Sequence, residues 1–293
     1  MTKTSKQLGK PLAITMGEPS GVGGEITLDA WLARHEKKLP LFMLLDDPAR
    51  IEELAKRLGL HVPVQVVETA EEAMSCFDQA LPVFPVSLKA PVALGTLNPE
   101  NGGAVIKSIE LAVDMAMRGE VAGVVTNPIH KGALYDIGFK HPGHTEFVAE
   151  LCGRDETPIM MIANDALRIV PLTVHIPLKD VSQAVTAELI DEKAHIMARA
   201  LTQDFGIKNP RIAICGLNPH AGEGGKMGME EIDVIMPAIE KLRADGLNVT
   251  GPHPADTLFH EDARKHYDAA LGMYHDQVLT PVKTLDFHGG VNV

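Results

Sequence analysis

The sequence predicts an α/β fold in which helices pack on mostly parallel sheets, and three observations predict it. Short apolar runs alternate with stretches whose apolar residues recur every three or four positions. The chain has 293 residues, 45% of them apolar and 23% charged, enough to bury a large core in about two domains. Glycine-rich loops and histidines fall at the ends of the apolar runs, the edge where open α/β sheets build ligand sites.

In chain order, residues 12–16, 41–45, 121–125, 158–162, 168–174, 211–215 and 269–274 read as buried strands. Residues 26–34, 102–118, 144–151, 187–205 and 229–245 carry helical spacing. Alternation of this kind places helices over a largely parallel sheet. The segment 126–143, rich in Pro, Gly and His, is the candidate crossover between domains.

Acidic residues outnumber basic ones, 39 to 27, for a formal net charge of -12. A surface of that sign repels phosphate backbones and anionic lipids, which argues against nucleic acid or membrane partners. A phosphorylated ligand then needs a local basic site. Residues 1–10 are polar and basic without an apolar core, so no secretory signal is expected, and no run reaches the ~18 apolar residues of a membrane span. Three widely spaced cysteines, Cys76, Cys152 and Cys215, suit buried thiols in a reducing cytoplasm, and a cytoplasmic protein is expected.

The run from Met16 to Glu25 follows a strand and leads into a helix. Its glycines permit close backbone approach, and the helix start favours an anion. The spacing is not that of a dinucleotide fingerprint, and a tight strand-to-helix turn explains it equally well. In His141-Pro142-Gly143-His144-Thr145-Glu146, a hydroxyl, an imidazole and helix-start amides together suit a carboxylate or phosphate, although Thr145 alone would serve as a cap. Lys283 and Asn292 flank the Gly289-Gly290 turn and offer a further anion contact, or simply a solvated lysine beside a turn.

His175, His220 and His275 stand at or just beyond the carboxyl ends of three predicted strands. Three neutral imidazoles converging there leave open positions on a divalent ion for substrate oxygens. Their separations, 45 and 55 residues, match no local zinc motif, so spacing leaves open whether they meet.

The segments TMGEPSGVGGE, TNPIHKG, PGHTEF, TVHIPL, CGLNPHAGEGG, PADTLF, MYHDQ and GGVN span nearly the whole chain. In content and order they resemble the 4-hydroxythreonine-4-phosphate dehydrogenase family of vitamin B6 biosynthesis. The resemblance implies a homodimer of two-domain subunits with the isocitrate/isopropylmalate dehydrogenase type of fold and an active site in the interdomain cleft. Residues 1–130 with 282–293 would form the first domain, and 131–281 the second.

It further implies that His175, His220 and His275 hold one divalent ion, zinc, magnesium or cobalt, at the dimer interface. His144, Thr145, Lys283 and Asn292 match substrate-binding positions. The implied reaction is oxidation of 4-phospho-L-threonine by NAD or NADP, followed by loss of CO2 to give 3-amino-2-oxopropyl phosphate. Lys283 and Asp256, the latter from PADTLF, are the candidate proton acceptors; no cofactor-binding residue is assigned.

Two departures carry expectations. Gly24 stands where the family commonly has proline, which pre-sets helix entry, so glycine is expected to cost a little stability and no activity. Family members continue past GGVN with an arginine that binds the substrate phosphate; a chain ending at Val293 is expected to bind phosphate more weakly and to have a less stable first domain. The rival activities are a dehydrogenase of 4-phospho-D-threonate or 4-phospho-D-erythronate and a metal-dependent hydrolase.

Overall fold

The computed structural model describes residues 9–141, 143–153 and 158–293. They form two compact units, one ending at Pro158 and the other Ile159–Val293.

The first unit is built on five parallel strands: β1 (Leu12–Thr15), β2 (Phe42–Asp46), β3 (Val64–Val66), β4 (Leu81–Pro85) and β5 (Gly123–Val125), in the order β3-β4-β2-β1-β5. The second holds β6 (Ile162–Ala163), β7 (Arg168–Thr173), β8 (Ile212–Cys215), β9 (Val249–His253), β10 (Ala269–Tyr274) and β11 (Val291–Asn292). Their order is β11-β6-β7-β10-β8-β9; the four strands from β7 to β9 run parallel, and β6 is antiparallel to both of its neighbours. The predicted parallel α/β architecture is therefore present in each unit.

In the second unit both sheet faces are buried, as the apolar strand sequences demand. Val170, Leu172, Ile212, Ile214, Leu271 and Met273 pack on one side against Ile190, Met197 and Leu201 of the helix Ala187–Gln203. The alternate residues Ile169, Ala213 and Ala270 pack on the other side against Val278, Leu279 and Val282 of the helix His275–Leu285. Each fully buried aliphatic side chain contributes about 1.5–3 kcal/mol, so this sandwich fixes where the strand ends lie.

Several elements differ from the expectation. The strand expected at 158–162 is only Ile162–Ala163, because Asn164 turns the chain at once, its Oδ1 accepting from Ala166 N and Leu167 N. The helix expected at 229–245 begins as a π-turn, Glu231–Ile235, and becomes α-helical from Met236 to Ala244. β3, β4 and β9 and the helices Pro48–Leu58, Ala70–Cys76 and His275–Leu285 were not read from the sequence.

The units also divide differently from the expected boundary near residue 130. The segment 282–293 stays with the second unit, since β11 pairs with β6 through Val291↔Ala163 and Asn292↔Ile162.

Gly24 has a packing role that the expectation of a stability cost left out. A Cβ there would lie 2.6 Å from Leu54 Cδ2 and 2.9 Å from Arg50 Nη1, so a side chain added between the helices Gly23–Leu32 and Pro48–Leu58 would force those two side-chain ends to shift. No helix among the described residues is long and apolar enough to cross a membrane. Cys76, Cys152 and Cys215 are all free thiols.

Candidate functional site

β7, β10 and β8 are consecutive neighbours and parallel, so their carboxyl ends share one edge at the ~4.8 Å strand spacing. The three predicted histidines leave the sheet at that edge. His275 directly follows β10, His175 lies two residues past β7, and His220 lies five past β8. The rings of His175 and His275 meet, with centroids 5.6 Å apart. His175 has a φ of 31°, on the left-handed side that costs a non-glycine residue about 1–2 kcal/mol. Strain of this kind persists where the surrounding structure imposes it, often beside a ligand.

His220 sits in a left-handed turn in which His220, Ala221, Gly222, Glu223 and Gly224 all have positive φ. Its Nδ1 faces Glu223 Oε2 at 3.0 Å, and His275 Nδ1 faces Asp276 Oδ1 at 2.7 Å. A carboxylate accepting from Nδ1–H fixes the tautomer with Nε2 free, the arrangement typical of metal-bound histidine. Within one chain the three histidines do not close to single-ion distance. Among the described residues the one His/carboxylate trio with ligand atoms inside 4.8 Å is Asp191, His195 and Asp245. There the Lys241 ammonium lies 2.7 Å from Asp191 and 2.8 Å from Asp245, supplying the positive charge a metal would bring.

The loop between β8 and His220 is held by groups the sequence reading missed. Buried Glu231 accepts from Leu217 N and Asn218 N at 2.7 Å each, and from Asn218 Nδ2 at 2.9 Å. Gln277 Nε2 donates to Gly216 O at 2.8 Å while its Oε1 accepts from Met273 N at 2.7 Å. A buried glutamate thirteen residues from its loop has no local signature, but Gln277 was within reach as the last residue of MYHDQ.

Of the remaining candidates in this unit, Asp256 lies at the same edge, and Lys283 and Asn292 lie away from it. Asp256 follows β9 at the histidine edge and lines an open cleft of about 620 Å³ with Tyr274, Asp276, Gln277, Thr280 and Thr284. Lys283 lies eight residues into the helix that starts at His275, about 12 Å along its axis, with Nζ 5.9 Å from the Phe287 ring. Asn292 pairs with Ile162, which in turn pairs with Ile169 near the amino end of β7, so it stands at the opposite edge of the sheet from His175.

In the first unit, His144 and Thr145 open the helix His144–Leu151, with Thr145 exposed. His144 Nε2 is buried and has no hydrogen-bond partner among the described residues. Burial, with the nearby Lys131 ammonium, holds the His144 imidazole below its usual pKa, so it is neutral at pH 7. An unpaired polar atom at a helix start is a natural contact for an anionic or hydroxylated ligand.

The TMGEPSGVGGE loop interlocks with the Asn127-Pro128 turn. Asn127 Nδ2 donates to Thr15 O and Thr27 Oγ1 at 3.0 Å each, and Glu18 N donates to Pro128 O at 2.8 Å. Gly17, with φ of 69°, has no room for a Cβ beside Asn127 and Pro128. These two loops follow β1 and β5, which are adjacent and parallel, so they leave the sheet side by side at its carboxyl edge.

Residues 38–293 match the family model described as "Pyridoxal phosphate biosynthetic protein PdxA". The chain belongs to this family. It is 49% identical over 290 residues to a 4-hydroxythreonine-4-phosphate dehydrogenase of Methylorubrum extorquens, covering 97% of this chain and 83% of the relative. Crystal structures of 4-hydroxythreonine-4-phosphate dehydrogenases superpose on 97% of it. The Burkholderia phymatum protein gives a TM-score of 0.87 at 35% identity over 86% of its own chain. The Klebsiella pneumoniae protein gives 0.86 at 30% identity over 87% of its chain. The fold is thus the isocitrate/isopropylmalate dehydrogenase type that the family shares.

Proposed function

We propose that the chain is a 4-hydroxythreonine-4-phosphate dehydrogenase, which oxidises C3 of 4-phospho-L-threonine with NAD or NADP and releases CO2 to leave 3-amino-2-oxopropyl phosphate for pyridoxine 5'-phosphate synthesis. The observation that carries this reading is the row of histidines at three adjacent strand ends in a chain of this family. His175, His220 and His275 would hold one divalent ion, zinc, magnesium or cobalt. The donor set fits, because two of the three rings have Nδ1 held by a carboxylate and Nε2 free. When bound, such an ion acidifies a coordinated alcohol and stabilises negative charge on the ketone oxygen during decarboxylation. That the trio stays open within one chain is consistent with a homodimer in which a second copy completes the site.

The chain's own groups then have distinct tasks. Neutral His144 and the Thr145 hydroxyl bind the polar end of the substrate without adding charge, and Lys131 beside them offsets the phosphate or carboxylate. Lys283 and Asn292 are assigned as further substrate contacts from the family motif alone. Of the two candidate proton acceptors, Asp256 is favoured, because it shares the cleft with Asp276 and Gln277 next to His275, whereas Lys283 lies at the far end of the helix. Hydride acceptance belongs to the nicotinamide; the protein supplies orientation and charge.

A nicotinamide-reduction assay with 4-phospho-L-threonine tests the reading, with 4-phospho-D-threonate and 4-phospho-D-erythronate run beside it. The expected result is reduced cofactor forming fastest with the amino acid. Faster turnover of either acid would move the chain to the rival dehydrogenase activity. Release of inorganic phosphate without cofactor reduction would point to a hydrolase.

A further inference from the structure

The pairing of β8 with β10 runs through Ala269↔Ile212, Ala270↔Ala213 and Leu271↔Ile214 and then stops, and beyond it the two chains lead to His220 and His275. The Gln277 carboxamide occupies the next position. Its Nε2 donates to Gly216 O on the β8 side, and its Oε1 accepts from Met273 N in β10. A side-chain amide carries the same donor and acceptor pair as a peptide, so it continues the ladder across the gap. Its orientation is fixed, because a backbone N–H only donates and a carbonyl only accepts.

The surroundings hold this bridge in place. Gly272 leaves no space for a Cβ against Val278, so the helix carrying Gln277 lies flush on β10. At Gly216 a Cβ would sit 2.9 Å from Ala221 Cα, which folds the His220 loop tightly over the bridge. Glu231 grips the next two amides of that loop.

We infer that Gln277 is a positioning residue that sets the spacing between the His220 and His275 segments and thereby tunes metal affinity. This inference rests on the proposed three-histidine site. Gln277→Glu replaces the donor facing Gly216 O with a second acceptor, while Gln277→Met removes both hydrogen bonds at similar volume.

The test is equilibrium dialysis of the full chain against Co2+, together with the visible absorption of the bound ion. Wild type, His220→Ala, both Gln277 variants and Gly24→Ala are compared. Gly24→Ala lies in the other unit and controls for lost stability. The expected result is that wild type binds, His220→Ala does not, and Gln277→Glu and Gln277→Met bind about tenfold or more weakly with an altered spectrum, while Gly24→Ala is unchanged. If His220→Ala binds as wild type does, the three-histidine reading fails and this inference falls with it. If His220→Ala loses the ion but either folded Gln277 variant keeps wild-type affinity and spectrum, Gln277 is not a positioning residue. Melting curves identify which variant is folded, and one folded variant decides the question.

Discussion

At the scale of single residues, charge burial makes the sharpest predictions. Asp46 ends β2 fully buried and receives two hydrogen bonds from Arg50, at 3.0 and 2.9 Å. Burial pushes its carboxyl up to about 6 against the pull of the guanidinium. A raised folded pKa favours the native state below the unfolded value, and that contribution fades as pH rises through about 6. Above that the ion pair is formed, and Asp46→Asn then leaves the buried Arg50 charge uncompensated. The expected loss is about 3–5 kcal/mol at pH 7.5 by urea unfolding, and a loss under about 1 kcal/mol would contradict the buried-pair account.

His144 makes the opposite kind of prediction. With its pKa held below 6.5 by burial and by Lys131, its ring should titrate by NMR below the values of exposed histidines. Its contribution to stability should be intact above 6.5 and decline as pH falls. Titration at or above 6.5 would show that Nε2 has a partner or is solvated. His175 and His275 were legible in the sequence because strand ends are readable. Glu231 was not, because what matters is its burial beneath a loop, which no spacing encodes.

At the scale of elements, Gly24 separates propensity from packing. Alanine normally gains about 1 kcal/mol over glycine in a helix. Here the added Cβ meets Leu54 Cδ2, so Gly24→Ala should instead lower stability by about 1–3 kcal/mol through overpacking. Adding Leu54→Ala should recover the Gly24→Ala increment in a double-mutant cycle, and strict additivity would contradict the contact.

The long buried strands β1, β2, β7, β8 and β10 were legible because they are continuous apolar runs. β3 was not, since its residues Val64–Val66 are half-buried or exposed, and β9 is broken in sequence by Gly251-Pro252. The helix Pro48–Leu58 did carry its signals, an Asp47 cap, Pro48 at the start and Gly59 in the left-handed region at the end. The helix His275–Leu285 was hidden by Pro281 inside it and by reading His275 only as a strand end.

At the scale of the whole molecule, the family motifs gave the architecture and chemistry, and the parallel strands of the two sheets explain why most of those motifs are loops. Six of them follow the carboxyl end of a strand, where backbone amides and side chains are released from the ladder, whereas PGHTEF opens a helix and GGVN enters β11. The place of segment 282–293 in the second unit was not legible, because it depends on β11 adding to β6, a two-residue pairing at the edge of a sheet. The catalytic proposal depends on a divalent ion held by His175, His220 and His275. Its most direct test follows nicotinamide reduction with 4-phospho-L-threonine before chelation, after thorough chelation, and after Co2+ or Zn2+ is restored. The account predicts that turnover disappears with the metal and returns with it, whereas undiminished turnover in metal-free protein would contradict it.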